Sequence, residues 1–158
     1  MPNSVYFMAP ASRAARSWYP PEMPASSQSP GPLKVLIVED HPDARTTLRM
    51  LLSMAYGHSV YEAADGHAAL QVVLQERPDV ALIDLGLPGM DGYEVARRIR
   101  STLGRDEIFL IALTGHGEHE DRLRTEAAGF DVHLVKPVET AALAALLSQV
   151  GAGAATRE

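Results

Sequence analysis

Beyond position 33 the chain alternates short apolar runs with longer stretches in which apolar residues recur every three or four positions. The runs are strand-length and the stretches helix-length, so the pattern predicts a βα repeat and a parallel sheet covered on both faces. Predicted strands are Lys34 to Glu39, His58 to Ala63, Val80 to Asp84, Ile108 to Thr114 and Val132 to Val135. Three of these are continuously apolar, as central parallel strands are. The second alternates Ser59 and Tyr61 with Val60 and Glu62, which predicts an edge strand.

Helix signals follow each strand. Pro42-Asp43 opens the first helix, Leu48, Leu51 and Leu52 form its inner stripe, and Gly57 ends it. Asp65 caps the second, whose apolar set is Ala68, Ala69, Val72 and Val73. The third follows Gly92, with Val95, Ile99 and Leu103 inward and Arg97, Arg98 and Arg100 on a solvated face. The fourth, roughly Glu118 to Ala128, is so charged that only Leu123 and Ala127 are left to pack, which predicts the least firmly seated helix. An Ala- and Leu-rich fifth helix runs from about Glu139 to Val150.

The flanks differ. Residues 1–32 hold seven of the eleven prolines and no apolar period, which predicts a disordered Pro-rich tail; Tyr6, Phe7, Trp18 and Tyr19 read as incidental there. Residues 33–150 form one domain and 151–158 a short C-terminal tail. With 14 basic and 20 acidic residues the net charge is −6, and nothing in that balance favours a nucleic acid or an anionic membrane as partner. The absence of cysteine excludes disulfides, thiolate metal sites and thiol catalysis. No apolar stretch reaches a membrane span and prolines interrupt any secretory signal, so the expected location is the cytoplasm.

Polar residues stand where the predicted strands end. Glu39 and Asp40 close the first, Asp84 the third, Thr114 the fourth, and Lys136 follows the fifth. In an open parallel sheet ligands gather beyond the C-terminal strand ends, so these side chains converge. Three carboxylates in one pocket repel one another unless a cation joins them, and Mg²⁺, or Mn²⁺ in its place, suits an all-oxygen set. Lys136 adds a point charge, Thr114 a hydroxyl, and Gly86 and Gly115 allow close approach of backbone N–H groups to an anion. Together these are the parts of a phosphoryl-transfer site with Asp84 as nucleophile. Taken singly, Asp40 also reads as a cap of the first helix and Asp84 with Lys136 as a structural ion pair; their joint placement favours the site. His116 and His119 lack a third ligand nearby, which argues against zinc.

Four segments in order, Val35-Leu-Ile-Val-Glu-Asp40, Ala81-Leu-Ile-Asp-Leu-Gly-Leu-Pro-Gly-Met-Asp-Gly92, Ala112-Leu-Thr-Gly115 and Val135-Lys-Pro137, closely resemble the receiver domain of bacterial two-component response regulators. The resemblance implies a flavodoxin-like doubly wound α/β fold, (βα)5, with strand order 2-1-3-4-5. It further implies that Asp84 accepts a phosphoryl group from a histidine kinase or histidine phosphotransfer domain. Asp40, Glu39 (mainly through water), Asp84 and the carbonyl of Gly86 would hold Mg²⁺. Thr114, Lys136 and the N–H groups of Leu85, Gly86 and Gly115 would hold the phosphoryl oxygens. Phosphorylation would draw Thr114 inward and repack the fourth helix, fifth strand and fifth helix for a downstream protein. One position departs from the family pattern: His133 stands three residues before Lys136, where Tyr or Phe is usual.

The resemblance implies a single-domain response regulator that is not an enzyme beyond self-phosphorylation and slow self-dephosphorylation. A detached receiver of a hybrid sensor kinase, acting as relay or phosphate sink, is the alternative. A haloacid-dehalogenase-type phosphatase is disfavoured because that class places an acid two residues past the nucleophile, where this chain has Gly86.

Overall fold

The computed structural model describes residues 5–7, 31–104, 106–115 and 119–155, with the side chains of 5–7, 119–121 and 153–155 left aside. His116 and Glu118, and residues 8–30 of the expected tail, lie outside the described residues.

Strands β1 (Val5–Phe7), β2 (Lys34–Val38), β3 (Ser59–Ala63), β4 (Val80–Asp84), β5 (Phe109–Thr114) and β6 (Val132–Val135) form one sheet in the order β1-β6-β5-β4-β2-β3. The last five are parallel and, numbered among themselves, follow the expected order 2-1-3-4-5. Five helices connect or follow them: α1 (Pro42–Met50), α2 (Gly66–Glu76), α3 (Gly92–Leu103), α4 (His119–Ala128) and α5 (Thr140–Ala155).

Strand alternation divides the core in two. Leu36, Val38, Ala81, Ile83, Leu110 and Ala112 face the side covered by α2 and α3. Val35, Ile37, Leu82, Ile111, Leu113, Val132 and Leu134 face Leu52 and the stripe Leu143, Leu146, Leu147 and Val150 of α5. Every residue of β4 and β5 is buried, which is why those segments read as unbroken apolar runs. Among the described residues β3 pairs with β2 alone, and it is the expected half-exposed edge.

Local signals acted as expected at several helix ends. Pro42 sits in the first turn of α1, and Asp65 Oδ1 accepts the Ala68 N–H at 2.8 Å. Asp40 does not cap α1, because the capping position falls on His41 and no side-chain capping bond forms. After α1 the chain continues as a π-helical turn, Leu51–Ala55, before Gly57 reverses it at φ +72°.

Four expectations fail. Val5–Phe7 pairs antiparallel with β6, so the first 32 residues include an element of the sheet. α5 runs on to Ala155, through residues expected to form a tail: Ala152, Ala154 and Ala155 offset the weak helix preference of Gly151 and Gly153. On α4 the inward residues are Thr125 and Ala128, whereas Leu123 is 55% exposed and Ala127 is also outward. A charged helix carries too few apolar residues for its period to define a face. Arg100, expected on a solvated face, is 90% buried. It lies seven residues after Tyr93 and four after Ala96, both buried, so it borders the inner stripe of α3.

Candidate functional site

The crevice between β2 and β4, where strand order reverses, holds the acids. Asp84 is the last residue of β4 and is opposite Leu113 of β5. The chain then folds back tightly: Leu85 N–H donates to Leu113 O at 3.0 Å, and Gly92 N–H, at the start of α3, returns to Leu85 O at 3.2 Å. A Cβ at Gly92 would come within 2.5 Å of the Asp84 carbonyl oxygen, so only glycine lets α3 start this close to the acid's backbone. Asp91 then caps α3, its Oδ1 accepting the Glu94 N–H at 2.9 Å.

The side chain of Asp84 is held from two sides. Its Oδ1 accepts the Gly86 N–H at 3.0 Å, and its Oδ2 lies 3.5 Å from Lys136 Nζ. Lys136 also donates to Glu39 Oε2 at 3.0 Å. Burial pulls the Lys136 pKa down, but the Glu39 hydrogen bond and the charges of Asp84 and Glu39 outweigh it and raise the pKa above its usual 10.5. The ammonium is therefore fixed as a cation between two acids. Its backbone is anchored as well, with Lys136 N–H on Thr114 O at 2.7 Å.

Glu39 is 1% exposed, a burial that a carboxylate tolerates only with partners. Besides Lys136, its Oε1 accepts the His41 N–H at 3.3 Å. The His41 ring adds Nδ1 at 3.3 Å from Asp40 Oδ1 and 3.4 Å from Glu39 Oε1. Glu39, Asp40 and His41 thus offer three ligand atoms within 4.8 Å of one another, a set that fits a divalent cation. Arg45, one turn into α1, donates to Glu39 O at 2.9 Å and faces Glu62, steadying this corner.

The predicted residues therefore gather, with particulars that sequence did not disclose. Glu39, Asp84 and Lys136 form one contact chain, and Asp40 stands beside Glu39. Asp84 is outside the tightest ligand group, its oxygens facing Lys136 and Gly86 instead. Thr114 is buried at the end of β5, one residue past the partner of Asp84, and Gly115 follows it into solvent. Leu85 N–H is engaged by Leu113 O of β5, whereas Gly86 N–H points at the acid. His133 is fully buried opposite Ala112, with Nδ1 3.5 Å from Thr125 Oγ1 of α4.

His41 and Arg45 were missed as site residues, though both lie within six positions of Glu39 and one helical turn brings them back to it. The Arg100–Asp131 pair belongs to the fold and not to the site, and only its meeting across 31 residues reveals it.

Residues 35–148 match the family described as the response regulator receiver domain. The transcriptional regulatory protein AfsQ1 of Streptomyces coelicolor is 38% identical over 116 residues, 73% of this chain and 50% of that protein. The virulence sensor protein BvgS of Bordetella bronchiseptica is 37% identical over 128 residues, 78% of this chain and 10% of the sensor. The chain thus spans half or less of these relatives' length. The chemotaxis protein CheY4 of Vibrio cholerae, a solved structure, superposes with a TM-score of 0.71 at 31% identity, covering 76% of this chain and 99% of CheY4. With the family match spanning well over half of the chain, and an acid, a lysine and a buried threonine at adjacent strand ends, this chain belongs to the response regulator receiver family.

Proposed function

We propose that this chain accepts a phosphoryl group on Asp84 from the phosphohistidine of a histidine kinase or a histidine phosphotransfer protein, and passes the signal on through the surface formed by α4, β6 and α5. The observation that carries this reading is the position of Lys136 Nζ, 3.0 Å from Glu39 and 3.5 Å from Asp84, which sets a cation beside the acid where an incoming phosphoryl group would add negative charge. In the transfer the P–N bond to the donor imidazole breaks, a P–O bond to an Asp84 carboxylate oxygen forms, and the imidazole leaves with a proton. Lys136 would neutralise the added negative charge, Gly86 N–H would orient the acceptor, and Thr114 at the neighbouring strand end would meet the phosphoryl group. Glu39 and Asp40, with the carbonyl of Gly86 and Asp84 itself, would hold Mg²⁺, which supplies the remaining charge neutralisation when bound.

Gly86 brings no second acid next to Asp84, so the site has no general acid there for turnover of phosphomonoesters. The similarity to a sensor protein as well as to a transcriptional regulator favours one second reading, a relay or phosphate-sink receiver. Incubation with acetyl phosphate and Mg²⁺ tests the chemistry by intact mass. One phosphate-sized gain is expected for the native chain and none for Asp84→Asn. No gain under any phosphodonor or divalent metal refutes the assignment. Transfer onward to a phosphotransfer domain would separate the relay from a terminal regulator.

A further inference from the structure

The sheet of five parallel strands would end at β6, leaving an open row of backbone groups, and such an edge is where extended segments of other chains add. Here the edge is taken. Val5, Tyr6 and Phe7 pair antiparallel with Leu134, His133 and Val132. From β2 to β1 is four strand spacings, about 19 Å. The 26 residues between Phe7 and Lys34 reach roughly 80 Å when extended, so the segment arrives from its own chain without strain. Tethering keeps its effective concentration on the order of millimolar, enough to hold a weak strand in place.

The pairing is weak by construction. It covers three residues, whereas the other strands have four to six, and so short an addition contributes little by itself. It is also set on the strand best placed to sense the site. Val135 is opposite Thr114, Lys136 N–H is bonded to Thr114 O, and His133, opposite Tyr6, packs against α4. A shift of Thr114 or Lys136 toward a phosphorylated Asp84 is thus delivered to the strand that the segment grips.

We propose that residues 5–7 are a displaceable strap, closing the free edge of β6 until phosphorylation of Asp84 releases it. This rests on the function proposed above. Hydrogen exchange read by mass spectrometry tests it on the full chain, with intact mass recorded on the same samples. Successive strand N–H groups point to opposite edges, so V5P/Y6P removes at least one ladder donor whichever way the strap faces.

Exchange across Val132–Val135 is expected to be about tenfold slower in the native chain than in V5P/Y6P, with Val80–Asp84 unchanged as proof of folding. Phosphorylation of the native chain is expected to raise β6 exchange to the variant's level. Equal β6 exchange in native chain and variant overturns the strap. Unchanged exchange in a sample whose mass shows the phosphate overturns its release. A dimer that V5P/Y6P dissociates overturns the intramolecular pairing. A chain that takes no phosphate overturns the proposed function and the release together, while the pairing is still decided on the unmodified protein.

Discussion

Arg100→Met removes a buried cation that ties four parts of the fold together. Its Nε donates to Gly129 O at 2.8 Å, Nη1 to Ile108 O at 2.6 Å and Gly104 O at 3.3 Å, and Nη2 to Asp131 Oδ2 at 2.7 Å. Asp131 in turn accepts the Leu110 N–H at 2.9 Å, so α3, the end of α4, and the entries to β5 and β6 share one guanidinium. Arg100 and Asp131 are each only 10% exposed. Taking one partner from a pair this buried costs about 3–5 kcal/mol, because the other charge stays behind in a poorly hydrated place. Methionine preserves the stem that packs beside Gly129, so the loss reports the charge and its hydrogen bonds. Domains of this kind have roughly 5–15 kcal/mol in total, so the loss is a large share of the stability and is readily measured. Urea unfolding is expected to give a lower midpoint at unchanged m. With Asp131→Asn the double-mutant cycle is expected to return about 1.5–3 kcal/mol of coupling, the range for hydrogen bonds to charged groups. A loss below about 1 kcal/mol with no coupling would refute the clamp and return Arg100 to the solvated face that periodicity assigned it.

Gly92→Ala would force the start of α3 away from the Asp84 backbone; a loss of about 1–3 kcal/mol is expected, together with slower gain of phosphate mass from acetyl phosphate. Native-like phosphorylation kinetics would show that the close approach does not position the acid. His58 accepts the Leu33 N–H on Nδ1 at 3.1 Å, and burial lowers its pKa below the ordinary 6.5. The unfolded chain therefore binds the proton first, and this contribution is complete above pH 6.5 and falls as the pH drops toward the folded-state pKa. Stability measured across pH 5 to 8 is expected to rise with pH more steeply for the native chain than for His58→Gln; parallel profiles would remove the effect.

Much of the architecture was legible because it depends on short-range order. The apolar runs that became β4 and β5 are buried on both faces, and the half-polar Ser59–Ala63 segment became the edge, since burial on one face or two dictates which pattern a strand carries. Pro42 and Asp65 marked helix starts because capping is chemistry within one turn. The candidate site was legible for a related reason: an acid, a threonine and a lysine at strand ends share one edge once the strands are parallel, whatever lies between them in the chain.

Tertiary structure alone decided where long-range partners compete for the same group. Sequence could name Leu85 as a donor, but its N–H is claimed by Leu113 across the sheet. It could not seat Arg100 against Asp131, because a charged residue bordering an apolar stripe is buried only if a distant counter-charge meets it. Nor could it decide which side of α4 faces inward, with Thr125 and Ala128 chosen over Leu123 by the groove that receives the helix. The clearest case is Val5–Phe7: three residues have no pattern of their own, and they become a strand only because β6 presents an edge for them to pair with.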